Sequence, residues 1–334
     1  MQSLSRLMVA LVASVFAVPQ AAPAQDFAAA GVPAPLGRTG DYDAIFATLH
    51  AAGITAFFPT FQFVEVPEPE TLGREVDFMP PCHPDDPAFA AMRRHGIRLI
   101  AAASLLYDPD APFPARAADP LAALIACTGR DGLLGILSYD EPGYSGISPD
   151  RTAALFAHVR DIAPDLPVLM VHGPLVIEPG RHDTAEAQRA YLDAVVAHSR
   201  HADIVGFSTY PVPPEVARMG APGAGLAVVD HVTAARGYMQ WLSRALPDTD
   251  RMAVLQVFNY ADQVTPDLLA RIAPAALRAR LAPPNEAQLE QMARESIAGG
   301  AGLIIWYGAN FAKTADDPGW LAMLAVSRRL SGAP

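Results

Sequence analysis

Lysine is nearly absent from this chain: Lys313 is the only one in 334 residues. Charged residues of every kind make up 18%, and Asp and Glu outnumber Lys and Arg by 35 to 24, a formal charge of −11. Such a surface repels phosphate backbones and anionic lipid, so neither a nucleic acid nor a membrane surface is expected as a partner. Cysteine is scarce as well, with only Cys82 and Cys127. No CxxC or HExxH occurs, and His83 and the pair His182-Asp183 fall at unrelated spacing, so no metal site is expected. Gly31 and Gly37 do not make a GxGxxG, and there is no GxxxxGK[ST], so nothing points to a nucleotide cofactor. A Gly-x-Ser-x-Gly elbow is also missing, which argues against a serine hydrolase using Ser208.

What is present is apolar. Hydrophobic residues reach 51%, too many for a disordered chain. At the start, Arg6 precedes an apolar run from Leu7 to Val18, then Pro19 and the small-residue ending Ala22-Pro23-Ala24. That order matches a secretory signal peptide over residues 1–24, cleaved before Gln25, and the run is too short to cross a ~30 Å bilayer core. The expected mature domain is 25–334, exported and free of the membrane once the signal is removed. In an oxidising compartment the two cysteines could form one disulfide; two buried thiols are the alternative.

From Phe27 onward, short apolar runs alternate with longer amphipathic ones. The expected strands are Phe27–Val32, Thr55–Phe61, Arg98–Ser104, Leu133–Tyr139, Val168–His172, Ile204–Thr209, Met252–Phe258 and Leu303–Tyr307. Helical patterns fill the gaps, including Tyr42–Ala52, Pro149–Ile162, Val228–Ala245 and Pro318–Leu330. Leu133–Leu137 and Leu303–Ile305 are apolar without alternation, as in a parallel sheet covered on both faces. Eight such units in about 300 residues predict a single-domain (β/α)8 barrel. A doubly wound open sheet is the alternative, without its usual glycine-rich first turn. The Pro-rich stretches Val66–Pro87, Asp108–Pro120 and Val212–Gly225 then become βα loops on the active-site face.

The most informative segment is Gly135-Ile-Leu-Ser-Tyr139-Asp140-Glu141-Pro142. A buried strand runs directly into two carboxylates, and a proline stops it. In a barrel, Asp140 and Glu141 stand at the C-terminal end of the fourth strand. Desolvation and mutual repulsion there raise carboxyl pKa values, which suits proton donation to a leaving oxygen near neutral pH. An acidic helix cap is the bland alternative, but Ser148-Pro149 already fills that role for the next helix.

On these residues the chain resembles the (β/α)8 glycoside hydrolases, whose fourth strand ends in Asn-Glu-Pro or Asp-Glu-Pro. The sixth unit, ending Ser208-Thr-Tyr210-Pro211, is similar to the strand that supplies a substrate-facing Tyr-Pro. The eighth, Leu303-Ile-Ile-Trp306-Tyr307-Gly308, looks like the strand that ends in a sugar-stacking tryptophan. The resemblance implies a carbohydrate substrate, Glu141 as general acid/base with Asp140 orienting it or binding a hydroxyl, and no cofactor. Tyr139, His172, Tyr210, Gln256, Asn259, Trp306, Tyr307 and Gln62 are the expected sugar contacts.

One departure matters. Retaining members of that clan carry a glutamate at the end of strand seven, where this chain reads Gln256-Val-Phe-Asn259 with no acid before Asp262. Three expectations follow. An inverting enzyme would draw its base from Asp262, Glu65 or Asp108, with about 6.5–9.5 Å between carboxyl groups. A substrate-assisted mechanism would need only the Asp140/Glu141 pair, supported by Tyr210 and Gln256. A barrel that binds glycan without cutting it would need neither. An exported hydrolase or lyase on a non-sugar substrate is a further class.

Overall fold

Successive residues of a strand point to opposite faces, so in a closed barrel one set fills the interior and the other packs beneath the helices. A computed structural model of the chain describes residues 25–59, 78–177, 180–216, 219–228 and 230–333. The expected signal peptide, Gln62 and Glu65 lie outside the described residues.

Eight parallel strands close on themselves in sequence order: β1 (Asp26–Ala30), β2 (Ala56–Phe58), β3 (Arg98–Ala102), β4 (Leu133–Leu137), β5 (Val168–His172), β6 (Ile204–Thr209), β7 (Asp250–Gln256) and β8 (Leu303–Tyr307). Ala30 of β1 pairs with Tyr307 of β8 and so completes the ring. The fold is a (β/α)8 TIM barrel in one domain. Its principal outer helices are α1 (Tyr42–Ala51), α2 (Pro87–His95), α3 (Pro120–Thr128), α4 (Pro149–Ile162), α5 (Ala185–Ser199), α6 (Ala234–Ala245), α7 (Glu286–Ala298) and α8 (Pro318–Ser331).

Local chemistry sets the helix starts. The carboxyl of Asp119 accepts from the amides of Leu121 and Ala122, Ser148 Oγ from Arg151, Thr184 Oγ1 from Ala187, and Asp317 from Gly319 and Trp320. Asn285 and Gln288 exchange both bonds of a capping box at α7. Proline occupies the first turn of α2, α3, α4 and α8, where its missing N–H costs nothing. The sixth helix begins later than the pattern from Val228 predicts. Asp230 takes the amide of Val232 on its carboxyl and the hydroxyl of Thr233 on its carbonyl, which holds a turn there instead.

Two apolar layers result. Ala28, Ala30, Ala56, Ile100, Leu137, Leu169, Val171, Met252, Val254, Leu303 and Ile305 form the barrel interior. The larger layer lies between sheet and helices, with Phe27, Phe207, Tyr238 and Trp306 among its fully buried side chains. Cys82 and Cys127 are joined in a disulfide, with their Cα atoms 6.0 Å apart. The bond ties the segment before α2 to the end of α3. No helix among the described residues is long and apolar enough to cross a membrane.

Candidate active site

At the C-terminal mouth of the barrel is a cavity of about 270 Å³ to which all eight strands or the residues just after them contribute. Its base is small and apolar: Ala30, Ala102, Leu137, Val171, Val254 and Ile305. Its polar groups are Ser104, Ser138, Asp140, Glu141, Ser208, Tyr210, Gln263 and Tyr307. Asp140 and Glu141 are the only carboxylates among the described lining residues. They follow β4, and Tyr307 ends β8 on the opposite side of the ring.

The turn after β4 presents both acids. Glu141 adopts a left-handed conformation, φ 42° and ψ 58°, unusual for a residue with a Cβ. Its carbonyl accepts from Tyr144 and Ser145, which starts a single helical turn over Pro142–Ser145. Strain of this kind concentrates where the surrounding fold dictates a side-chain direction. The end of β5 supplies the space. A Cβ on Gly173 would stand 2.8 Å from Glu141 Oε2 and 2.2 Å from Tyr144 Cε2, so only glycine fits between carboxylate and ring. Three tyrosine hydroxyls fasten this stretch: Tyr191 donates to Gly173 O, Tyr144 donates to Pro174 O, and Tyr238 accepts from Leu175 N.

Burial dominates the electrostatics. It pushes the Glu141 carboxyl up to about 7, reinforced by the charge of Asp140, while a hydrogen bond from Ser208 and the Arg181 guanidinium oppose the shift. Burial also raises Asp140, to about 6. Asp140 is also exposed at the mouth of the barrel. Both carboxyls are therefore raised toward neutrality, where such a group can still hold a proton to donate. Tyr210 and Tyr307 stack at 5.5 Å with planes 21° apart. Burial raises both phenols far beyond neutral pH, so they remain hydrogen-bond donors. Ser138 Oγ, buried at the cavity wall, has no hydrogen-bond partner among the described residues and is placed to meet a ligand hydroxyl.

No protein-family model matches the chain, and no curated protein matches it in sequence. Solved structures do match in fold, several of them named as glycosidases. A candidate alpha-L-fucosidase from Bacteroides thetaiotaomicron is 10% identical with a TM-score of 0.54, over 99% of this chain and 100% of that one. A beta-galactosidase from Marinomonas ef1 is 9% identical with a TM-score of 0.52, over 91% of this chain and 59% of that one. An endo-beta-1,4-mannanase from Thermotoga petrophila is 9% identical with a TM-score of 0.50, over 94% and 78%. At such identity the likeness is one of fold alone, the TIM barrel.

The structure brings Asp140, Glu141, Tyr210 and Tyr307 together and corrects five other expected contacts. Trp306 is fully buried on the outer face of β8, stacked on Phe27 at 6.4 Å, and its indole N–H donates to Ser327 Oγ of α8. Its neighbour Tyr307 faces the cavity instead. His172 also points outward, hydrogen-bonded through Nε2 to Ser199 Oγ of α5, and burial lowers it to about 3. Tyr139 is buried against α4, where its hydroxyl accepts from Arg151 Nε. Gln256 is used up by backbone: its amide pairs with both Val212 N and Val212 O and also donates to Phe258 O, closing the β6 and β7 ends together. Asn259 caps the helical turn Tyr260–Gln263 and donates to Leu281 O.

The proposed distant bases fare similarly. Asp262 is ion-paired with Lys313, and Asp108 turns its carboxyl to the Asp110 amide; neither lines the cavity. Sequence reading missed Ser208, Ser138, Gly173 and Gln263. Ser208 had a usable signal, since it lies two residues before Tyr210 and must share its face of β6.

Proposed function

We propose that the barrel mouth binds a carbohydrate and hydrolyses a glycosidic bond, with Glu141 as the general acid. The observation that carries this reading is the pair Asp140/Glu141 at the end of β4, two carboxyls in one cavity whose pKa values burial raises toward neutrality. Glu141 gives its proton to the glycosidic oxygen as the bond to the anomeric carbon breaks and its electron pair stays on that oxygen. Water then supplies the hydroxyl to the anomeric carbon and a proton that restores Glu141, directly or through solvent. Asp140, when ionised, accepts a sugar hydroxyl or stabilises the developing positive charge. Tyr210, Tyr307 and Phe58 offer aromatic surface and donors around a ring. The mature protein acts outside the cytoplasm, a reading supported by the leader-like first 24 residues and by the disulfide.

A second reading is a barrel that binds glycan without cleaving it. It is favoured by one observation: Gln256 ends β7 where clan relatives place a glutamate, and its amide is spent on backbone. A broad glycan panel digested by wild type and by Glu141→Gln, read by mass spectrometry, separates the two. Cleavage that falls at least ~10²-fold in the variant supports the enzyme. Binding without cleavage by either protein supports the second reading, and equal cleavage by both removes Glu141 from the chemistry.

A further inference from the structure

We propose that Arg181, in the loop after β5, is a positioning residue that stabilises Glu141 as a carboxylate once its proton has been given away, acting from a seat on the Tyr144 ring. The guanidinium carbon of Arg181 stands 4.1 Å from the Tyr144 ring centroid, a cation–π arrangement. One edge of the same ring faces Glu141 Oε2 across the space that Gly173 leaves empty. Arg181 therefore does not need to reach into the cavity; the ring holds its charge beside the acid.

The seat is itself anchored. Tyr144 is stacked on Tyr191 of α5 at 5.2 Å and 17°, and its hydroxyl is tied to Pro174 O. Arg181 lies in a short turn in which Gly180 N donates to Asp183 Oδ2 and Gln188 Nε2 donates to His182 O, with His182 at φ 53°. Among the described residues no carboxylate forms a salt bridge with Arg181. Among the described residues, the other groups facing Glu141 are Asp140 from its own turn, Tyr144 from the following helical turn, Tyr191 from α5, Ser208 of β6, Tyr210 just beyond it, and Tyr307 from β8. His182 packs behind Tyr144 and Tyr191. Arg181 is the only cation in this set and the only member whose charge favours ionised Glu141. Its sign fits the reaction, because a general acid becomes an anion at the moment it acts.

The test is a carboxyl titration by NMR on protein labelled with 13C at glutamate Cδ, the Glu141 signal being the one missing from Glu141→Gln. Arg181→Met and Arg181→Gln, two variants lacking the charge, should move the Glu141 midpoint to higher pH. Arg181→Lys, which keeps the charge but loses the flat stack, should leave it close to wild type. An unchanged midpoint in Met and Gln variants overturns the proposal. So does an equal shift in all three, because that would mean Arg181 acts only by packing on Tyr144. The catalytic meaning rests on Glu141 being the proton donor, yet the titration needs no substrate. Failure of that reading is seen separately, as turnover that survives Glu141→Gln.

Discussion

The Cβ that Gly173 lacks would lie 2.8 Å from Oε2 of Glu141. A carboxylate at the end of β4 is thus accommodated by an absence at the end of β5. The same missing atom admits the edge of Tyr144, whose ring carries Arg181. Carboxylate, aromatic edge and cation form one packed unit around a single glycine.

Gly173→Ala should therefore damage the site at its most crowded point. The new methyl meets both an aromatic ring and a charged oxygen, and overpacking of this sort costs roughly 1–3 kcal/mol. Thermal unfolding should show that loss, and the Glu141 titration should change because its carboxylate must move. A variant with wild-type stability and titration would mean that the β5 end yields freely.

The two acids should make stability depend on pH. Both carboxyls are raised in the folded protein, Asp140 to about 6 and Glu141 to about 7. The folded state then binds more protons than the unfolded chain over this window, so stability falls as pH rises from near 4 through about 7. Asp140→Asn and Glu141→Gln should each raise Tm at pH 8 relative to wild type, with much less difference at pH 4. Melting curves at the two pH values check this. Stabilisation of equal size at both would show that charge is not the cause.

Under the proposed chemistry, activity should decline as pH climbs past about 7, because Glu141 must be protonated to donate. Ser208→Ala removes a hydrogen bond that favours ionised Glu141 and should move this decline to higher pH. The pH dependence of kcat/KM on any cleaved glycan reports it, and a shift to lower pH would contradict the assignment.

The Cys82–Cys127 bond spans 45 positions of sequence. Constraining a loop of that length in the unfolded chain is worth about 4 kcal/mol in the chain-entropy account. Denaturant unfolding of Cys82→Ser/Cys127→Ser, or of wild type under reductant, should lose a large part of that. The same midpoint with and without reductant would show that the disulfide contributes nothing.

Trp306→Phe should cost stability and spare the site. Loss of the indole N–H leaves Ser327 Oγ without its donor in a buried setting, a penalty of roughly 1–3 kcal/mol. Ligand affinity should not change, as titration of wild type and variant with the same glycan would show. A variant of unchanged stability and weakened affinity would return Trp306 to the mouth.

The strands were legible because their apolar runs are short, regularly spaced and separated by strong punctuation from proline and glycine. A parallel sheet buried on both faces leaves that pattern in any chain that forms one. The same local reading located Asp140 and Glu141, since a charged pair that directly ends a buried strand stands where the strand leaves the core. Local sequence also set the cap residues Ser148 and Asp317, whose side chains bond amides only a few positions away.

Facing was a matter for the closed barrel. Trp306 and Tyr307 are adjacent and both aromatic, yet one packs beneath α8 and the other lines the cavity, because strand register with β7 and β1 sets which alternate residues turn inward. His172 lost its site role the same way, to Ser199 on a helix 27 residues further on. Gln256 shares the inward parity of Met252 and Val254, but its amide was claimed by Val212 from the neighbouring loop. Residue type and spacing set the fold and the position of the carboxylate pair. Which neighbours surround that pair, and so which way its protons are held, depended on contacts between segments far apart in the chain.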